Sequence, residues 1–166
     1  MKLKEYEEKR DFFSTPEPKA VASKTKGAPS FVVQKHAATS LHYDFRLEIG
    51  KVLKSWAIPK GPSMDPSVKR LAIMVEDHPL DYLSFEGIIP PGNYGAGKVE
   101  IWDKGNFIPA SGNIRDLESG LGAGHLSIII NGDKLKGEFA LVKIKTRDNK
   151  NNWLLVKADD EYARKN

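Results

Sequence analysis

The sequence contains no cysteine. That removes disulfides, thiolate catalysis, Cys-type zinc sites and iron–sulfur clusters, and it fits an intracellular setting. No stretch approaches the ~18 consecutive apolar residues of a membrane span. Met1 to Arg10 also lacks the apolar core of a secretory signal. A cytoplasmic location and no membrane partner are therefore expected. There is no internal repeat and no low-complexity tract. After residue 30 no segment keeps a convincing helical period, although Ile114–Ser119 permits a short helical turn. What is present suffices for one packed domain without staples: 166 residues, 40% hydrophobic and 29% charged. The net charge of +4 permits a polyanionic partner without demanding one.

Punctuation divides the chain. Leu3, Tyr6 and Arg10 sit at helical spacing, and Pro16 and Pro18 stop any helix there. Ala20–Ser30 is small, polar and basic and reads as a surface loop. Residues 1–30 thus form a helix-and-loop arm, residues 31–160 the packed body, and residues 161–166 a tail. From Phe31 onward, short runs of Val, Ile, Leu and aromatics alternate with Gly, Pro, Asn and Asp. Strands are expected at Phe31–His36, Leu41–Ile49, Val52–Ile58, Leu71–Glu76, Tyr82–Glu86, Lys98–Asp103, Leu126–Ile130, Gly137–Lys145 and Trp153–Lys157. Ile49-Gly-Lys51, Asn131-Gly-Asp133 and Asp148–Asn152 suit hairpin turns. The fold class is all-β: a closed or nearly closed antiparallel barrel of about eight strands, which leaves no open edge, with a short N-terminal helix.

The most informative segment runs from Gln34 to Glu48. Read with period two, Leu41, Tyr43, Phe45 and Leu47 take one face, and His42, Asp44, Arg46 and Glu48 take the other. An imidazole, a carboxylate and a guanidinium in a row suit a metal and phosphate site better than a solvated face. On one straight strand His36 and His42 would lie roughly 20 Å apart at ~3.3 Å per residue, too far to share an ion. Ala37–Ser40 must bend for them to meet. His36, His42 and Asp44 then converge on one cation and leave positions open for water and substrate. Such ligands allow Mn, Zn, Fe or Co. The bland alternative is a pair of surface or hydrogen-bonded core histidines.

Further along, alternation puts Ala72, Met74, Glu76 and His78 on one face of a strand. His78 stands at the strand end before Pro79 and suits a third ligand, a phosphate donor, a general acid or simply a turn partner. Asp77 suits a turn anchor. Lys60 is displayed by a Pro-bracketed turn, where a solvated lysine is the ordinary role. Lys143, Lys145, Arg147 and Lys150 make a basic hairpin, read as a solubilising face rather than a nucleic-acid one. Gly92–Lys98 matches G-x-x-x-x-G-K but has Val99 where a phosphate-binding loop has Ser or Thr, and leads into a β-type run. It reads as a glycine-rich hairpin loop. Gly120-Leu-Gly-Ala-Gly124 fails as a dinucleotide fingerprint.

Several ordered motifs together resemble one family. Phe31–His36, Leu41–Glu48, Ser55-Trp-Ala-Ile-Pro-Lys-Gly-Pro-Ser63, Val75–Leu80, Phe85–Gly87, Tyr94–Gly97 and Ile101–Asp103 resemble the 3′-phosphoesterase domain of bacterial DNA ligase D, as do Lys9–Phe12 and Thr15–Pro18. The resemblance runs over about residues 4 to 160. It implies a β-barrel with a manganese-dependent site, Co²⁺ or Zn²⁺ being possible substitutes. Such enzymes act on DNA 3′ ends, removing a 3′-terminal ribonucleoside and then the 3′-phosphate to leave a 3′-hydroxyl for end joining. By position, His36, His42 and Asp44 match the metal ligands, Arg46 and His78 match residues at the scissile phosphate, and Tyr82 matches another residue needed for activity. Arg10, Asp11, Glu17, Lys60 and Glu76 fall in motifs with supporting roles, which makes the arm part of the site. The ligase and polymerase domains fused to this domain in the family do not fit in 166 residues, so those partners are expected to be separate. Two rivals remain: a barrel-shaped iron oxygenase using His42, Asp44 and His78, and a non-catalytic nucleic-acid-binding barrel.

Overall fold

The computed structural model describes residues 3–20, 27–148 and 150–165. Met1, Lys2, residues 21–26 of the basic loop, Asn149 of the last turn and Asn166 of the tail lie outside the described residues. The strands are β1 (Ser30–Ala37), β2 (Leu41–Ile49), β3 (Val52–Ile58), β4 (Lys69–His78), β5 (Gly87–Ile89), β6 (Gly97–Pro109), β7 (His125–Gly132), β8 (Lys136–Lys143) and β9 (Asn152–Lys157). Among the described residues the α-helices are α1 (Lys4–Glu8) and α2 (Arg115–Ala123).

All strand pairs are antiparallel, in the order β1-β2-β3-β4-β9-β8-β7-β6-β5. A further pairing of β1 with β6 closes the barrel and leaves β5 as an extra strand. The expected all-β barrel is therefore the fold. Closure consumes the edges of β1 and β6, which in an open sheet would offer unpaired amides to another chain. β2 and β3 have the bounds expected from the sequence. Gly50 and Lys51 both take positive φ, 62° and 71°, between them. This is a two-residue turn whose twist suits a hairpin.

Three expectations are corrected. Tyr82–Glu86 is no strand: Leu80–Ser84 forms a 3-10 helix after Pro79, with the Tyr82 amide bonded to the Pro79 carbonyl at 2.9 Å, and the strand follows at Gly87–Ile89. Apolar residues at a spacing of three, Tyr82 and Phe85, suit that tighter period. β6 does not stop at Asp103 but runs to Pro109, and Gly105 within it is a point of close approach: a Cβ there would stand 2.1 Å from the Asn131 carbonyl oxygen. The helical turn near Ile114–Ser119 is a full helix, Arg115–Ala123, despite Gly120 and Gly122. Its buried Leu117 packs into the barrel core, and Gly124 closes it at φ 80°.

Alternation then decides what lies where. The larger apolar cluster draws on all eight barrel strands, including Phe31, Phe45, Leu47, Trp56, Phe139 and Trp153, and so fills the barrel interior. The residues of β1–β4 between those positions point outward. That outer face is also buried, because the arm and the 3-10 segment lie across it. Tyr6, Leu80, Tyr82, Phe85 and Ile89 pack there with Leu53 of β3 as a second cluster. Burying each such side chain contributes about 1.5–3 kcal/mol. The polar row on β2 is therefore roofed, which a solvated face never is.

Candidate active site

The site begins with strand register. The bend at Ala38–Ser40 turns β1 back into β2, so that His36 lies opposite His42 and Gln34 opposite Asp44. The two imidazole centroids are 4.7 Å apart. Asp44 faces Ala57 of β3, whose small side chain leaves space above the carboxylate. Three residues of β4 run against two of β3 where Ser55 pairs with Val75 and Leu53 with His78. This bulge helps turn Val75, Glu76 and His78 toward the same cavity, which has a volume of about 210 Å³.

At one end of the cavity the ligand atoms of His36, His42 and Asp44 lie within 4.8 Å of one another. His36 Nε2 donates to the Gly95 carbonyl at 2.6 Å, and His42 Nδ1 donates to the Ser40 carbonyl at 3.1 Å. Those bonds leave lone pairs on His36 Nδ1 and His42 Nε2, each 3.3 Å from an Asp44 oxygen. Two lone pairs against a carboxylate repel unless positive charge sits between them. The arrangement is that of metal-binding histidines whose far nitrogens are fixed by carbonyls, and the donors suit a divalent transition metal. The Asp44 carboxylate, which accepts from the ring once it is protonated, raises the His42 pKa even though burial opposes it. Burial would push the Asp44 carboxyl up, yet Arg46 and both histidines hold it well below the usual carboxylate range.

Arg46 stands beside this trio. Its Nε donates to Gln34 Oε1 at 2.7 Å, its Nη2 lies 3.5 Å from Asp44, and its guanidinium carbon is 4.7 Å from the centre of the Tyr82 ring. Its Nη1 is buried with no hydrogen-bond partner. Arg46 is among the residues lining the cavity, and a buried cationic donor without a partner costs free energy unless a ligand completes it. Gln34 in turn donates to the carbonyls of Tyr82 and Phe85, at 2.8 and 3.1 Å, fixing the fork to the roof.

The other end is built by the arm. Arg10, stacked 3.9 Å over the Tyr6 ring, donates to Glu17 at 2.9 Å and to Glu76 at 3.4 Å. Glu17 Oε2 also accepts from the Tyr82 hydroxyl at 2.6 Å, and Oε1 accepts from Thr15 at 3.0 Å. The Tyr6 hydroxyl donates to the Pro18 carbonyl, closing the arm on itself. Burial pushes the Tyr82 hydroxyl pKa far up, so it remains a donor. Burial also pushes His78 down, with Arg46 and Arg10 adding to the effect, so its ring is neutral. His78 Nδ1 donates to the Glu76 carbonyl at 3.0 Å, and its Nε2 accepts from Arg10 Nη2 at 3.2 Å. In this arrangement His78 has no free proton to give and no free lone pair for a metal. That removes the third ligand the iron-oxygenase rival requires.

Of the residues singled out in the sequence, the structure gathers Arg10, Glu17, His36, His42, Asp44, Arg46, Glu76, His78 and Tyr82 around one cavity. It does not bring Asp11 and Lys60 there. Asp11 is exposed and caps its own turn, accepting from the Phe13 amide at 3.1 Å and from the Ser14 hydroxyl at 3.0 Å. Lys60 is exposed and borders a separate groove with Lys69 and Arg70. Glu48, although on the polar face of β2, accepts from the Ser30 amide at 2.9 Å, away from the site. Asp77 pairs with Lys54 at 2.9 Å.

Sequence reasoning overlooked Gln34, Tyr94 and Gly95. Gln34 shares period two with His36, a signal that was available. Tyr94 and Gly95 lie in the loop read as a glycine-rich hairpin and counted among the family motifs, but they were given no role at the site. No local pattern announces that a backbone carbonyl there holds His36 in place.

Comparison with known proteins points to one family. Residues 34–143 match the DNA ligase D 3′-phosphoesterase domain. The chain is 52% identical over 164 residues, 98% of its length, to the multifunctional non-homologous end joining protein LigD of Pseudomonas aeruginosa. It is 40% identical over 165 residues to the multifunctional non-homologous end joining DNA repair protein LigD of Mycobacterium tuberculosis strain H37Rv. It is 39% identical over 163 residues to the LigD of Mycolicibacterium smegmatis. These matches cover 19% to 21% of those relatives, so the chain spans about a fifth of their length. The histidine pair, the Asp44 carboxylate and Arg46 all fall within the matched residues 34–143, and the chain belongs to the DNA ligase D 3′-phosphoesterase domain family.

Proposed function

We propose that this chain is a divalent-metal-dependent hydrolase of phosphate esters at the 3′ ends of DNA, which prepares broken ends for non-homologous end joining in the cytoplasm. It removes a 3′-terminal ribonucleoside, leaving a 3′-phosphate, and then removes that phosphate to leave a 3′-hydroxyl. Ligase and polymerase activities use the product. The single observation that carries this reading is the buried, unpartnered Arg46 Nη1 beside the His36, His42 and Asp44 donors.

Arg46 donates Nη1 to a non-bridging oxygen of the scissile phosphate, and its permanent charge stabilises the negative charge that develops on those oxygens. His36, His42 and Asp44 hold the ion, Mn²⁺ by preference with Co²⁺ or Zn²⁺ able to replace it. The ion supplies Lewis acidity and a water of lowered pKa. Arg10 and Tyr82, both fixed by Glu17, set the far wall of the phosphate pocket. Glu76 and His78 orient Arg10. Asp11 acts at a distance by fixing the turn between Arg10 and Glu17. Lys60, outside the cavity, is left to contact the nucleic-acid strand.

The test is release of inorganic phosphate from a 3′-phosphorylated primer–template, with and without Mn²⁺, by the chain and by its His42→Ala and Asp44→Ala variants. Metal-dependent release that both substitutions abolish supports the proposal, and undiminished release by either overturns the site. A primer ending in a single ribonucleotide tests the diesterase step. Salt-sensitive binding without turnover would instead favour the non-catalytic barrel.

A further inference from the structure

The cavity has room for a phosphate group and its immediate surroundings but not for a nucleotide: about 210 Å³ is below the ~300 Å³ at which pockets begin to enclose small organic ligands. A nucleic-acid end that places its phosphate against Arg46 must leave its sugar and base at the rim. Of the residues lining the cavity, Tyr94 is the one that is exposed, at 49%. Its loop is locked in place. The Ala96 amide bonds to the Asn93 carbonyl at 3.1 Å, and the Gly95 carbonyl is tied to His36 at 2.6 Å. Gly97 is pressed against the β1–β2 hairpin so closely that a Cβ would stand 2.1 Å from the Ala37 oxygen. The arm supports the ring as well: Lys9 Nζ stands 4.8 Å and the Arg10 guanidinium carbon 5.5 Å from its centre. A fixed aromatic ring, backed by cations and half open beside a phosphate-sized cavity, is suited to stack on a base of any sequence.

We propose that Tyr94 is the stacking platform for the nucleobase of the nucleotide that carries the scissile 3′-phosphate. This rests on the reading of the cavity as a 3′-phosphoesterase site. Tyr94 is thereby a specificity-determining residue: it favours nucleic-acid 3′-phosphates over phosphate esters lacking a base, and it does so without reading sequence.

The experiment compares the chain with its Tyr94→Ala and Tyr94→Phe variants on two 3′-phosphorylated oligonucleotides, one with an ordinary terminal base and one with an abasic terminal sugar. Stacking is worth about 1–3 kcal/mol per base, so Tyr94→Ala should raise KM on the ordinary end roughly 5- to 150-fold while leaving kcat in place. Tyr94→Phe, which keeps the ring, should behave like the parent chain. On the abasic end Tyr94→Ala and the parent should coincide. A terminal 2-aminopurine bearing the 3′-phosphate gives a readout independent of turnover: its fluorescence should be quenched on binding the parent and much less on binding Tyr94→Ala. An unchanged KM, or equal losses on both ends, would overturn the inference, since the second pattern marks Tyr94 as a mere buttress of Lys9 and Arg10. Failure of the underlying reading looks different, because then the parent chain releases no phosphate from either end.

Discussion

The two faces of β2 are both buried, for opposite reasons. Phe45 and Leu47 point into the barrel and are covered by residues drawn from every barrel strand. Asp44 and Arg46 point outward and are covered by an arm and a 3-10 turn, with Tyr6, Tyr82 and Phe85 forming the roof. Inside, burial is the driving force, and the side chains are almost all apolar, the Trp56 indole N–H being buried there without a partner. Outside, each buried polar atom must be matched, and nearly all are: Arg46 to Gln34 and Asp44, Arg10 to Glu17 and Glu76, Tyr82 to Glu17. Arg46 Nη1 is left without a partner, and under the proposed function it is the donor that the scissile phosphate completes. A fold can thus hold charges in a dry site by covering an outer sheet face, without placing them in its hydrophobic core.

Adjacent substitutions on β2 break the comparison most sharply. Phe45→Ala should cost about 3–5 kcal/mol of stability, read by denaturant unfolding, through the cavity it leaves in the core. Arg46→Lys should instead reduce phosphate release about 10²–10³-fold with a far smaller loss of stability, because an ammonium cannot serve Gln34, Asp44 and a phosphate in one plane. If the two variants lose stability and activity in the same proportion, the faces are not functionally distinct.

Next in size is Glu17→Gln, which weakens the bonds from both Arg10 and Tyr82. A stability loss of about 1.5–3 kcal/mol is expected, together with easier proteolysis of residues 3–20 while the barrel stays intact. Unfolding of arm and barrel in one step, with no early cleavage, would contradict the roof as a separable layer.

His78 sharpens the picture through pH. Its folded pKa is depressed by burial and by Arg46 and Arg10. Above pH ~6.5 neither the folded nor the unfolded chain carries the proton, and the group contributes nothing. Below that value the unfolded chain takes up a proton that the folded chain refuses, so stability falls as pH drops, by up to about 1.4 kcal/mol per pH unit. His78→Gln should flatten this slope between pH 6 and 5 in thermal unfolding by about one proton's worth. The smallest effect belongs to Asp11→Ala, which loses the bonds to Phe13 and Ser14 and should cost about 1 kcal/mol. Asp11→Asn, still able to accept, should restore most of it.

Much of this was legible in the sequence. Period-two alternation in Leu41–Glu48 assigned the faces of β2, and the impossible reach of a straight strand required the bend that brings His36 opposite His42. Gly50-Lys51 marked its hairpin. Signals that mimic one another were misread. Apolar Tyr82 and Phe85 look like a strand until Pro79 is allowed to start a tight helix, and the strand expected to end at Asp103 continues because Gly105 lets β6 pass close to β7. Arg10 and Glu17 had no local signature and entered only through family resemblance.

The sequence by itself determined which side chains share a face, because strand geometry alternates them regardless of what lies beyond. Only the tertiary structure decided which face is core and which is site. That choice depends on barrel closure and on contacts such as Tyr82 to Glu17 and Arg10 to His78, separated by 65 and 68 positions along the chain. No local pattern encodes such pairs, since each forms only after a long loop of chain has been closed by the burial of everything between.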